Sequence, residues 1–203
     1  MSIVFASICP HPPILLPTVG KIKDRKEVSK TLDSLNILNK RFKEMDPDGI
    51  IISSPHQDWG FNVPLFFLAL NFKKEIKKYL TDSENPEFYF QQGKEVYSKL
   101  DKNKKYAVIA SGDLSHCLKP DGPYGFNPQG QKFDENLAIC LKNKNIDKIL
   151  ELDREFPEAQ ECGLRSFCFL LGMLEASKTS WQAEILSYQG PFGVGYLVVR
   201  FKL

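Results

Sequence analysis

Tyr106-Ala-Val-Ile-Ala-Ser-Gly-Asp-Leu-Ser-His116 opens as a short apolar, β-rich run, Tyr106 to Ala110, and is stopped by the turn-forming Ser111-Gly112-Asp113. A run of this kind suits a strand covered on both faces, as in a parallel sheet. His116 then falls just beyond a strand end. The chain has three histidines, and the other two repeat the arrangement: Ile3 to Ile8 runs into Cys9-Pro10-His11, and Ile50-Ile51-Ile52 into Ser53-Ser54-Pro55-His56. In open α/β sheets the ligand crevice lies beyond the carboxyl ends of the strands. Three separate segments are therefore expected to bring His11, His56 and His116 to one site. The fold expected is α/β: a single domain over residues 1–203 with a mixed, largely parallel central sheet covered by helices.

Outward from this stretch, strand and helix patterns alternate. Val28, Leu32, Leu35, Leu38 and Phe42 recur at helical spacing and predict an amphipathic helix over residues 24–45. Asp46-Pro47-Asp48-Gly49 breaks it before Ile50, a β-α-β opening that implies a parallel pair. Residues 58–64 read as an exposed loop, 64–72 as a strand and 73–80 as a short helix. Further helices are predicted over 87–100, 133–141, 145–152 and 162–176, with closing strands at 183–188 and 195–201. Between them, residues 119–128 are too rich in proline and glycine for regular structure. Loops close to a site often carry function, which makes Trp59 and Tyr124 pocket-wall candidates.

A chain of 203 residues with 26% charged residues and a formal net charge of +2 is sized for one domain. It carries no strong field towards nucleic acid or an anionic membrane. No apolar run approaches the roughly 20 residues of a membrane span. Five cysteines without a C-x-x-C pair fit reduced thiols. A soluble, cytoplasmic protein is expected, with no nucleic-acid or membrane partner and with a homo-oligomer left open.

Imidazole nitrogens bind first-row transition metals, and two of them with one carboxylate form a facial triad that leaves positions open on Fe(II). Three histidines at strand ends supply such a set with one to spare. Zinc takes the same imidazoles, so spacing alone does not name the metal. The third ligand could be Glu158, Glu161 or Cys162 in Pro157-Glu-Ala-Gln-Glu-Cys-Gly163, or Asp113. Asp113 is equally suited to hold the His116 loop through backbone hydrogen bonds. Glu161 and Cys162 are neighbours whose side chains diverge, so only one of them is expected to face a metal. Gly193-Val-Gly195 leads into a strand, whereas a dinucleotide fingerprint leaves a strand and enters a helix, and that cofactor class is excluded. Ser111 and Ser115 near His116 leave a zinc-dependent hydrolase as an alternative, although no Gly-x-Ser-x-Gly elbow occurs.

Five short motifs span nearly the whole chain: Cys9-Pro-His11-Pro-Pro-Ile-Leu-Leu-Pro17, Ser54-Pro-His56, Ser111-Gly-Asp-Leu-Ser-His116, Glu161-Cys-Gly-Leu-Arg-Ser166 and Ser187-Tyr-Gln-Gly-Pro-Phe-Gly-Val-Gly-Tyr196. Together they resemble the class III extradiol ring-cleavage dioxygenases of the protocatechuate dioxygenase catalytic-subunit type, and their Memo-like relatives. The resemblance implies a non-haem iron site with His11 and His56 as metal ligands and His116 as the acid/base residue beside the substrate. The third ligand in that family is usually a glutamate late in the chain, whereas Memo-like proteins present a cysteine in a Cys-Gly motif. Glu161-Cys162-Gly163 offers both, with Glu161 placed first and Cys162 as its alternative. A thiolate would shift the preference from Fe(II) towards Cu or Zn. The implied chemistry is the O₂-dependent opening of a small, catechol-type aromatic ring next to its diol, with His116 helping to move protons. The alternative implied is a Memo-like metal-binding role, copper or redox, without ring cleavage.

Overall fold

In the computed structural model, which describes residues 3–122 and 124–203, the apolar runs become strands and the amphipathic ones helices. The chain begins with β1 (Ile3–Cys9), a 3-10 turn at Pro13–Leu15, α1 (Ile22–Glu27), α2 (Ser29–Met45) and β2 (Gly49–Ser54). It continues through α3 (Trp59–Ala69), β3 (Glu75–Leu80), α4 (Pro86–Ser98) and β4 (Tyr106–Ser111). The last part comprises α5 (Pro128–Asn143), α6 (Ile146–Leu150), α7 (Leu152–Glu155), α8 (Leu164–Ser177), β5 (Gln182–Gln189) and β6 (Tyr196–Lys202). Among the described residues no helix is long and apolar enough to cross a membrane.

Six strands form one sheet in the order β3-β2-β4-β1-β6-β5. The first four are mutually parallel, while β6 runs antiparallel to β1 and β5 antiparallel to β6. Parallel neighbours require crossover connections, and here helices supply them on both faces. Alternate residues of the central strands therefore enter two cores. Ile50, Ile52, Ala107 and Ile109 pack with Leu35 and Leu38 of α2 and Phe61 of α3. Ile51, Val108 and Ala110 pack with Phe133 of α5 and with Phe167 and Leu170 of α8. Every residue of β2 and β4 is buried, as the near-continuous apolar runs predict.

The expected order of strand and helix is reversed in one region. Residues 64–72, read as a strand, lie mostly in α3, which also takes in the expected loop at 58–64; residues 73–80, read as a helix, form β3. The aromatic and β-branched run of α3 favours strand locally, but burial of Phe61, Val63, Pro64 and Leu68 against the sheet outweighs that preference. Lysines suggested a solvated helix at 73–80, yet β3 is the edge strand, where lysine discourages further pairing. The predicted helix over 24–45 is broken at Val28, with φ −104° and ψ 15°. The helix expected from Phe133 begins at Pro128, whose missing N–H costs nothing at the first helical position, capped by the Asn127 side chain on Gln129 N.

The order β2-β4-β1 sets the site. Because these strands are adjacent and parallel, their carboxyl ends lie side by side, and His56, His116 and His11 each follow one of them.

Candidate metal centre

His11 and His56 meet edge to face, ring centroids 5.2 Å apart. One nitrogen of each ring and Cys162 Sγ lie within 4.8 Å of one another. The Cys162 Sγ to His11 Nε2 distance is 3.6 Å. A nitrogen about 2.0–2.1 Å and a sulfur about 2.3 Å from one tetrahedral ion lie roughly 3.5 Å apart, so the His11–Cys162 pair already has the spacing that one metal would set. Asp113, His116 and Cys162 form a second such group sharing the same thiol. Asp113 Oδ2 lies 3.7 Å from His11 Nε2.

Each donor is placed by its own local chemistry. Prolines on both sides stiffen the His11 segment. Its backbone N–H donates to Asp113 Oδ1 at 3.0 Å, and its Nδ1 is 3.0 Å from Ser111 Oγ, which also bonds the Gly60 carbonyl. The Ser54 hydroxyl donates to the His56 carbonyl at 2.9 Å and accepts its N–H at 3.1 Å, closing a tight turn after β2. Cys162 arrives from a distant segment through a backbone contact. Gly163 lies so close to β4 that its N–H and that of Cys162 both reach the Asp113 carbonyl, at 3.0 and 3.4 Å. In return, Asp113 N–H points at Cys162 Sγ, 3.3 Å away.

Glu161 is occupied elsewhere. Its Oε2 accepts the N–H of Leu164 at 2.7 Å, and Oε1 lies 3.3 Å from Arg165 Nη1, so the carboxylate closes the first turn of α8. Among the described residues neither Glu161 nor Glu158 belongs to a donor group; Cys162 does. His116 sits at the third strand end, its N–H and Nδ1 both on the Gln160 carbonyl, at 3.2 and 2.5 Å. A carbonyl only accepts, so Nδ1 carries a hydrogen, and in the neutral ring Nε2 is the nitrogen with the free lone pair. Gln160 has φ 55°, a left-handed conformation uncommon for a side-chain-bearing residue, which turns its carbonyl to His116. The Tyr124 ring is 5.4 Å from that of His116, and Tyr124 is largely exposed, as is Trp59 at the start of α3. Ser111 and Ser115 are fully buried; the Ser115 hydroxyl accepts Cys117 N–H at 3.1 Å.

Burial governs the charges. It holds His11 neutral, its pKa pushed down to about 3, with the neighbouring His56 acting in the same direction. Burial pushes Asp113 up to about 6, opposed by the His11 N–H and by the His116 and His56 charges. The Cys162 thiol is raised by burial first and by the Asp113 charge second. A neutral imidazole, a thiol and a carboxylate facing one another is an arrangement that a cation completes, since it would draw the proton from sulfur.

Sequence reasoning did not assign a role to Gly60, Gln160 or Gly163. Gly163 is required by its close approach: a Cβ there would stand 2.9 Å from Asp113 O, closer than real Cβ atoms come. The Gln160 carbonyl and the Gly60 carbonyl are backbone groups, invisible to residue type.

Comparison with known proteins identifies the family and the fold. The profile of the family described as "Catalytic LigB subunit of aromatic ring-opening dioxygenase" matches residues 57–199, starting directly after His56. A Clostridium acetobutylicum protein is 32% identical over 96% of this chain, and the chain spans 56% of that relative's length. The crystal structure of an uncharacterized Escherichia coli protein superposes with a TM-score of 0.63 at 14% identity, covering 97% of this chain and 98% of that one, a likeness of fold.

Proposed function

Because this chain belongs to the family of catalytic LigB subunits of aromatic ring-opening dioxygenases, we propose that it holds a transition metal between His11, His56 and Cys162. The proposed centre takes copper or zinc ahead of iron. The observation that carries this reading is Cys162 Sγ at 3.6 Å from His11 Nε2, while both Glu161 oxygens serve α8. Soft thiolate favours Cu(I) and Zn(II), whereas replacing it by carboxylate would favour harder ions. When bound, the metal supplies a Lewis acid at the crevice beyond β1 and β2 and, in the case of copper, a redox partner. Asp113 secures the His11 backbone and the Cys162 segment at once, fixing two donors from segments far apart in sequence.

A second reading is favoured by His116: O₂-dependent opening of a catechol-type ring beside its diol, with Fe(II) in the same donor set. Its bare Nε2 can take a proton from a substrate hydroxyl and return it to the opening product. Tyr124, its exposed ring 5.4 Å from that of His116, would meet the substrate's ring there, and Trp59, exposed at the start of α3, is a further candidate.

Protein purified without oxygen, analysed for iron, copper and zinc and then titrated with each, separates the readings. The first expects copper or zinc, lost in Cys162→Ser. Iron binding that is indifferent to Cys162→Ser overturns it. Turnover of a catechol panel with the absorbance of ring-cleaved products supports the second.

A further inference from the structure

Pro64 lies inside α3, and a proline has no N–H to give to the carbonyl four residues earlier, which here belongs to Gly60. That carbonyl is a buried acceptor in need of a donor. The Ser111 hydroxyl reaches it from the end of β4. A serine hydroxyl has one hydrogen, and a carbonyl can only accept, so the hydrogen points at Gly60. The same Oγ lies 3.0 Å from His11 Nδ1 and, its hydrogen spent, can only accept there. Nδ1 must then carry the imidazole hydrogen. Nε2, the nitrogen 3.6 Å from Cys162 Sγ, is left with its lone pair free.

We infer that Ser111 is a positioning residue that fixes His11 in the Nδ1–H tautomer and presents Nε2 to the metal, its own orientation set by the Gly60 carbonyl that Pro64 leaves without a helical donor. The inference rests on the proposed metal centre for its functional consequence, but the tautomer itself does not. Gly60 is part of the device: a Cβ there would overlap Ser54 Oγ and stand 3.1 Å from both His56 Cβ and Ser54 Cβ, so the residue lets α3 enter close under the β2 loop. A metal-binding histidine that donates its other N–H to an oxygen acceptor is oriented as well as made more basic, and loss of such a partner typically lowers metal affinity about 10–100-fold.

The test combines ¹⁵N NMR of the His11 ring in the metal-free protein with zinc titration of the wild type, Ser111→Ala, Ser111→Thr and Pro64→Ala. The wild type is expected to show one tautomer, with Nδ1 protonated. Ser111→Ala should show a mixture and bind zinc about 10–100-fold more weakly. Ser111→Thr, which keeps the hydroxyl, should recover most of both. Pro64→Ala restores a helical donor to Gly60 and should loosen the tautomer with Ser111 intact, which keeps the inference testable if Ser111→Ala does not fold. A wild-type His11 protonated on Nε2, or an unchanged tautomer in both Ser111→Ala and Pro64→Ala, overturns the inference. A wild type that binds neither zinc nor copper yet shows the Nδ1–H tautomer, lost in Ser111→Ala, upholds the positioning and overturns the metal reading instead.

Discussion

Replacing Gly163 by alanine probes whether the close approach of the segment before α8 to Asp113 is what delivers Cys162. The added Cβ would overlap Phe167 Cζ and stand 2.9 Å from both Phe167 Cε2 and Asp113 O, whereas ordinary contact begins at 3.4 Å. Turning the buried Phe167 ring leaves Cζ where it is, since that atom lies on the ring's rotation axis, and the carbonyl is backbone, so neither neighbour yields without a shift of its segment. The two segments must therefore part by 0.5 Å, the difference between those distances. Asp113 O accepts Gly163 N at 3.0 Å and Cys162 N at 3.4 Å, and the second bond, already long, is lost. Overpacking of a filled site costs about 1–3 kcal/mol. At about 2–4 °C per kcal/mol for a chain of this size, Tm falls by roughly 2–12 °C. Zinc affinity should fall about tenfold or more as Sγ leaves its place opposite His11 Nε2. Thermal unfolding of the metal-free protein and zinc titration against a competing chelator measure the two effects. Gly93→Ala is the control: its Cβ would overlap the Phe169 carbonyl oxygen and crowd Met173 N at 3.1 Å, between α4 and α8 and away from Asp113, so it should lower Tm and leave zinc affinity unchanged. Wild-type zinc affinity in a Gly163→Ala protein of lowered Tm refutes the reasoning.

Cys162→Ser should abolish tight copper or zinc binding, whereas Glu161→Gln should keep it and lose about 1–2 kcal/mol of stability, since it weakens the Leu164 cap and the Arg165 contact; parallel metal titrations and denaturant unfolding decide this. His116→Gln should retain metal and, if catechol turnover is found in the wild type, lower kcat by about 10²–10⁴-fold, as read by steady-state kinetics with metal content measured on the same sample. Asp134, buried with Tyr188 Oη donating to it at 2.6 Å and Ser115 N at 2.9 Å, has its pKa raised by burial to about 7. The folded protein then binds more protons than the unfolded chain between the ordinary carboxyl value of 3.8 and about 7, so stability falls as pH rises through that window. Asp134→Asn should remove about 1 kcal/mol or more of this slope, measurable as the difference between the two proteins' unfolding free energies at pH 4.5 and about 7.5, since one pKa unit corresponds to about 1.4 kcal/mol.

The sequence by itself determined the three buried strands and the place of the three histidines after them. Both follow from local facts: apolar runs of strand length that tolerate cover on both faces, and turn or proline residues that stop them. The adjacency of β2, β4 and β1 turned that shared position along the chain into a shared position in space, and this was expected from the general behaviour of open α/β sheets. The helix α3 and the strand β3 were not legible, because packing against the sheet outweighed the β-preference of one and edge placement gave the lysines of the other their use. The different directions taken by Glu161 and Cys162 belonged to the tertiary structure alone. Neighbouring residues differ in direction, and direction was decided by where the chain turned into α8: Glu161 met the free N–H groups of the new helix, while Gly163 pressed its backbone against Asp113 and left Cys162 facing His11. The hydrogen-bond partners of the histidines were hidden for the same reason, since the Gly60 and Gln160 carbonyls are backbone atoms brought there by a proline in a helix and a left-handed turn, and residue type does not encode where a carbonyl points.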